Sequence, residues 1–171
     1  MKRSTNTTSS SSSRTLEFTV LSGEDLRLDG KPIKKGAFVV VKIDPLNRFT
    51  TKIDAEGGSY PYWEDKFVME LPANSRFVTA EVRCKNNGRI VGKATMPVSD
   101  IEGEYTPLDY LHFLSYRLRD ERGLKNGIVN VSARLKVRGY AGSSLTAAKP
   151  EMGLPTYAGG VVTGVPVGYH A

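Results

Sequence analysis

Apolar residues at every second position, in several separate stretches, constrain this chain more than any other feature. Leu16, Phe18 and Val20 alternate with Thr15, Glu17 and Thr19. Phe67, Met69 and Leu71 alternate with Lys66, Val68 and Glu70, and Val78, Ala80 and Val82 with Thr79, Glu81 and Arg83. Val129, Val131, Ala133, Leu135 and Val137 alternate with Asn130, Ser132, Arg134, Lys136 and Arg138. A strand turns successive side chains to opposite faces, so each stretch describes a strand with one face in a core and one in water. The β-branched run from Phe38 to Ile43 adds another strand. No apolar stripe of helical period lasts beyond a turn or two, the best being the short segment Val98 to Glu102. Short strands separated by Gly, Pro and Asn turns predict an antiparallel sandwich or barrel.

Three regions follow from composition. Residues 1–13 form a Ser/Thr-rich segment too poor in apolar side chains to offset its ordering entropy, and read as disordered. Residues 14–140 carry the strand pattern and read as one domain. Residues 141–171 combine Pro150, Pro155 and Pro166 with glycines and almost no charge, and read as a flexible tail. A 171-residue chain with Cys84 as its sole cysteine cannot form an internal disulfide, and its domain is large enough to fold without one. No apolar run long enough for a secretory leader or a membrane span is present, Lys2 excludes myristoylation, and the last four residues hold no prenylation box. These features predict a cytoplasmic protein whose membrane contacts, if any, are peripheral. The net charge of +6 favours acidic partners; the plainer reading is that it aids solubility.

Catalytic chemistry is hard to place. His112 lies in a strand-like run and His170 stands next to the last residue, so neither Cys84 nor any serine has a positioned base. No phosphate-cradling glycine loop, zinc motif or EF-hand loop is present. Phe18, Phe38 and Phe67 fall on inward-reading strand positions, which predicts core packing and not base stacking on nucleic acid. The chain is expected to bind and not to catalyse, with no nucleic acid among its partners.

The order of strands and turns resembles a C2 domain. Leu16-Glu17-Phe18-Thr19-Val20-Leu21-Ser22-Gly23-Glu24-Asp25-Leu26 is similar to the family's opening strand, and Gly36-Ala37-Phe38-Val39-Val40-Val41 stands where the family has Asp-Pro-Tyr and a valine-rich strand. Tyr60-Pro61-Tyr62-Trp63-Glu64-Asp65-Lys66-Phe67 resembles its Asn-Pro-x-Trp turn, and Ile90-Val91-Gly92-Lys93-Ala94 the strand after its third loop. The segments Phe113–Leu118 and Gly127–Ser132 are similar to the end of the small plant C2 proteins, the cold-regulated and copine-associated ones. The resemblance implies an eight-stranded antiparallel C2 β-sandwich of type II strand order with disordered N- and C-terminal tails. It further implies a phospholipid-binding adaptor at the plasma membrane, a copine-like partner, and a role in restraining defence or cell-death signalling.

Calcium-binding members of that family collect carboxylates on the loops at one end, because the ion takes six to eight oxygen ligands. Here Gly36 replaces the first-loop aspartate, and the third loop, Arg83 to Arg89, contains no acid. Asp25, Asp29 and Asp54 are the remaining weak candidates, so no cofactor is expected and a calcium-dependent sensor is kept as the alternative. The same loops are basic, with Lys31, Lys34 and Lys35 in the first and Lys85 and Arg89 in the third. These five are the candidate contacts for anionic phospholipid. Arg117, Arg119, Arg134, Lys136 and Arg138 alternate along the last two strands and are expected to merge into a second basic patch, or to keep that sheet face soluble. A third reading is a soluble protein–protein scaffold without lipid binding.

Overall fold

The computed structural model describes residues 14–107 and 109–137. The two tails expected from composition, the domain's proposed last residues and Arg138 lie outside the described residues. Within the described residues ten strands follow in chain order: β1 Arg14–Glu24, β2 Arg27–Leu28, β3 Lys31–Pro32, β4 Ala37–Lys42, β5 Arg48–Thr50, β6 Tyr62–Leu71, β7 Phe77–Cys84, β8 Ile90–Pro97, β9 Leu111–Arg119 and β10 Lys125–Val137. A 3-10 turn, Val98–Asp100, stands where the short helical segment was expected. Eight strands form one antiparallel sheet in the order β5-β4-β7-β8-β9-β10-β1-β6, and β2 and β3 pair as a separate hairpin. The first strand feeds directly into the first loop, as the type II order requires.

The long sheet doubles over on itself. Among the described residues only the pair Lys93–Arg119 connects β8 to β9, and this is where one layer passes into the other. Gly92 lies at that passage, where a Cβ would stand 2.8 Å from the Cβ of Leu118. No other residue type allows the two layers to approach so closely there. The opposite edges, β5 and β6, are held by side chains, with the rings of Phe49 and Phe67 centred 5.5 Å apart.

Both layers supply the core. Leu16, Phe18 and Val20 of β1, Val129, Val131 and Ala133 of β10 and Met69 of β6 face Val39 and Val41 of β4 and Val78, Ala80 and Val82 of β7 in one buried cluster. Trp63 is fully buried, and its indole N–H donates to the carbonyl of Ala37 at 3.0 Å, tying β6 in one layer to β4 in the other. Glu81 is a buried charge of β7. Burial pushes its carboxyl up, but hydrogen bonds from Arg83 and Lys42 outweigh that and hold it below the usual carboxylate range. Phe38 departs from expectation. Ala37, Val39 and Val41 are the inward residues of β4, and Phe38 lies half-buried on the outer face. Phe18 and Phe67 do pack on the core.

Candidate functional site

Four connections gather at one end of the sandwich: 25–36, 51–61, 85–89 and 120–124. The first contains the β2–β3 hairpin, closed by Asp29 and Gly30, whose φ angles of 54° and 75° suit the two-residue turn that Asp-Gly favours. Lys31 leaves this turn, and Lys34 and Lys35 follow before β4. Their backbone is held from several sides. The Ser59 hydroxyl bonds the carbonyls of Leu26 and Ile33 at 2.9 and 3.3 Å. Gly36 N–H donates to Asp54 O at 2.9 Å, and Gly36 O accepts from Lys85 N–H at 2.8 Å. Gly58, at φ 56°, lies so close beneath that a Cβ would stand 3.1 Å from Lys34 O. On the far flank, the Asn126 amide donates to Arg27 O at 2.7 Å and Val91 O at 2.5 Å, joining the hairpin to β8 and β10.

Lys31, Lys34, Lys35 and Lys85 are exposed, and none has a carboxylate partner within ion-pair distance among the described residues. Arg89, the fifth candidate, is different. Its guanidinium donates two bonds to the Asp29 carboxylate, at 2.6 and 2.9 Å, linking loop 25–36 to loop 85–89. That fork holds the Asp29 carboxyl below its ordinary range, with weaker help from Arg122 and Lys31. Arg89 is thus a neutralised tether and not a free cation, which sequence reasoning missed because its partner lies sixty residues away.

The three aspartates suggested as weak metal ligands do not converge. Asp25 pairs with Arg27 at 3.0 Å and Asp29 with Arg89. Asp54 accepts from Gly57 N–H at 2.6 Å, Glu56 N–H at 3.1 Å and Tyr62 N–H at 3.1 Å, so its carboxylate shapes the loop. Among the described residues no group of three or more His, Cys, Asp or Glu stands where it could hold a metal ion.

Two cavities of about 270 Å³ each flank the hairpin. One lies between it, the start of β8 and the turn 120–124; its charged lining mixes Arg27, Arg89, Arg122 and Lys125 with Asp29, Asp120 and Glu121. The other lies between loops 25–36 and 85–89 and is lined by Lys31, Lys34, Lys35, Asn86 and Asn87 over Leu28, Pro32, Ile33 and Cys84, with no carboxylate.

The second basic set does not form one patch. In the β9–β10 register Arg117 faces Ile128 and Arg119 faces Lys125, near the loop end, whereas Arg134 faces Leu111 near the other end. Six residues of strand separate the two pairs, roughly 20 Å at 3.3 Å per residue. Antiparallel pairing is the reason, since late positions of β9 meet early ones of β10. Arg134 and Lys136 instead converge with Lys66 on Glu17 of β1: Lys136 at 2.7 Å, Lys66 at 3.1 Å, Arg134 at 3.8 Å. Hydrogen bonds from Lys136 and then Lys66 hold the Glu17 carboxyl below its usual range. Glu17 on the polar face of the first alternating stretch was the one available signal for this hub; Ser59 and Asn126 had none.

Residues 14–112 match the family model described as C2 domain. BON1-associated protein 2 of Arabidopsis thaliana is 48% identical over 132 residues, 74% of this chain and 63% of that protein, so the match spans less than two thirds of the relative's length. Among solved structures, a C2 domain-containing protein superposes with a TM-score of 0.62 at 17% identity, covering 77% of this chain and 94% of its own. A C2 domain of plant Extended Synaptotagmin 1 gives 0.58 at 16% identity, covering 72% of this chain and 94% of its own. A calcium-bound structure of the paired C2 domains of Extended-Synaptotagmin 2 gives 0.58 at 20% identity, covering 74% of this chain and 43% of its own. At these identities the solved structures speak for the fold.

Proposed function

The chain belongs to the C2 domain family, and from that premise we propose that it is a non-enzymatic adaptor that docks reversibly on anionic phospholipid through the end bearing Lys31, Lys34, Lys35 and Lys85. The observation that carries this reading is the contrast in charge pairing at that end. Four exposed lysines have no carboxylate within ion-pair distance among the described residues, while Arg27 and Arg89 beside them are neutralised. Each Lys or Arg near an anionic leaflet contributes on the order of 1 kcal/mol, so four give at most about 4 kcal/mol, enough for reversible association. Docking is proposed to need no calcium, because Asp25, Asp29 and Asp54 already have partners and the lysines repel a divalent ion. The test is co-sedimentation of the full chain with phosphatidylserine vesicles, with calcium or with chelator. We expect equal binding in both and loss of binding at high salt, where exposed charges are screened. Binding that vanishes in chelator would promote the calcium-sensor alternative; no binding in either would leave the soluble scaffold.

The name of the Arabidopsis relative describes association with BON1. That name supports a second element of the proposal: at the membrane this chain serves a partner protein, copine-like in the family resemblance, and restrains defence or cell-death signalling. Affinity capture from cells expressing the chain, with and without the four lysines, would test whether partner recruitment depends on docking.

A further inference from the structure

Strand β6 ends the sheet on one side. Among the described residues its one strand neighbour is β1, so its other edge has no strand against it. Such an edge offers a row of backbone N–H and C=O groups to any strand that fits, and bulges or charges usually blunt it. Here Glu64, at φ 51°, bends only the start of the strand; residues 65–71 run in unbroken register with 14–20 of β1. Exposed Lys66, Val68 and Glu70 stand on the outer face of that stretch, and Asp65, Phe67, Met69 and Leu71 on the face toward the other layer. Val68 is an apolar side chain 58% exposed between two charges of opposite sign. A cation, an apolar residue and an anion at equal spacing are complementary to their own reversal.

We propose that this edge is a self-association surface, on which β6 of a second copy of the chain pairs antiparallel about a twofold axis at Val68. The inference goes beyond the membrane-docking reading and does not depend on it. A twofold contact uses the same patch on both copies, so the patch must complement itself. Centred on Val68, the pairing sets Lys66 opposite the second copy's Glu70 twice over, and Val68 opposite its counterpart. On the inner face it sets Phe67 opposite Met69 twice, which continues the apolar layer across the seam. Opposite charges and apolar pairs directly across two strands stabilise, and like charges there destabilise. The other registers lose these matches. Centring on Lys66 or Glu70 puts like charges face to face. Centring on Phe67 or Met69 puts Val68 opposite Lys66 or Glu70 and forms no ion pair between these residues. A centre nearer Glu64 runs the pairing into the bend. One register is therefore selected, which an edge that merely attracts other strands would not do.

The experiment is sedimentation velocity of the full chain over a range of concentrations. A single strand seam buries less than a standard interface, so the expected result is a monomer–dimer equilibrium in the micromolar range. Glu70→Lys sets ammonium against ammonium at both pairs and should weaken the dimer by about tenfold or more. The exchange Lys66→Glu/Glu70→Lys restores opposite charges and should return the dimer to near wild-type strength. Circular dichroism checks that both variants fold. A crosslink reads the register without altering these charges. With Val68→Cys the two axial Cα atoms stand about 4.5–5.5 Å apart, within disulfide reach, so mild oxidation should give a covalent dimer. With Glu70→Cys the two sulfur-bearing positions lie four residues out of step, roughly 13 Å, and no dimer should form. Cys84 is buried and stays out of the reaction. A chain that remains monomeric throughout would overturn the proposal. So would an exchange variant no stronger than Glu70→Lys, or Glu70→Cys linking as readily as Val68→Cys.

Discussion

Lys34 at the loop end and Lys136 on β10 look alike in the sequence, each a lysine in a basic neighbourhood, and the fold treats them oppositely. Lys136 places its ammonium 2.7 Å from Glu17, which also receives Lys66 and Arg134. Lys34 projects from a backbone fixed by Ser59, Gly36 and Gly58, with no carboxylate in reach among the described residues. One region spends its charge inside the protein; the other presents it outward. The lesson is that a basic residue's availability is set by what long-range register brings opposite it, not by the density of lysines around it. Both regions sit on one core, so changes can be aimed at either.

The largest effect should come from removing what both regions share. Trp63→Ala deletes a fully buried indole and its bond to Ala37, and truncating a buried aromatic costs about 3–5 kcal/mol. Thermal and urea unfolding should both register it. A variant of unchanged stability would show that the two layers do not depend on this tie. Next, Lys31→Gln/Lys34→Gln/Lys35→Gln should weaken vesicle binding by roughly 100-fold, at about 1 kcal/mol per cation. Lys66→Gln/Lys136→Gln on the sheet face should change it less than about twofold. Equal losses from the two sets would erase the distinction.

Asp29→Asn sharpens the comparison within the loop end, because it frees the Arg89 guanidinium and moves it from the paired class to the unpaired one. Vesicle binding should tighten by about fivefold, the value of one added cation. Weaker binding would mean that the link between loops 25–36 and 85–89 matters more than the charge it hides. The smallest effect concerns pH. The Glu17 carboxyl is held below its usual value of 4.5 in the fold, so its contribution is fully present above that pH and is lost as pH falls through the lowered folded value. Glu17→Gln should therefore flatten the acid limb of stability below pH 4.5 and leave the neutral range little changed. An acid limb identical to wild type would show that the ring of cations around Glu17 does not act on stability.

Period-2 alternation made β1, β6, β7 and β10 legible, and the Trp63 turn and the order of loops made the family legible. What failed had a common cause. In Phe38-Val39-Val40-Val41 every residue is apolar, so the run defines a strand but not its phase. The phase comes from pairing with β7, where Val39 faces Val82 and Val41 faces Ala80, and that turns Phe38 outward. The expected merger of Arg117 and Arg119 with Arg134 and Lys136 rested on alternation along two neighbouring strands, which gives the face but not the register; the antiparallel hairpin sets the late positions of β9 against the early ones of β10. Arg89 read as free because Asp29 reaches it only through folding of the first loop. Local pattern is written in neighbouring residues; pairing across sixty or a hundred residues is not.

The doubled sheet has further meaning for motion. Backbone hydrogen bonding runs continuously across the passage at Gly92, but the β5 and β6 margins are held by side chains such as Phe49 and Phe67. Local opening follows the lines of fewest cooperative bonds, so that margin is the natural place for the sandwich to breathe. Loop 51–61 joins these two margins and carries both Ser59 and Gly58, which support the lysine segment. Slow excursions of the margin therefore reach the lysines directly, and amide exchange in β5 and at Ile33 to Gly36 should rise and fall together.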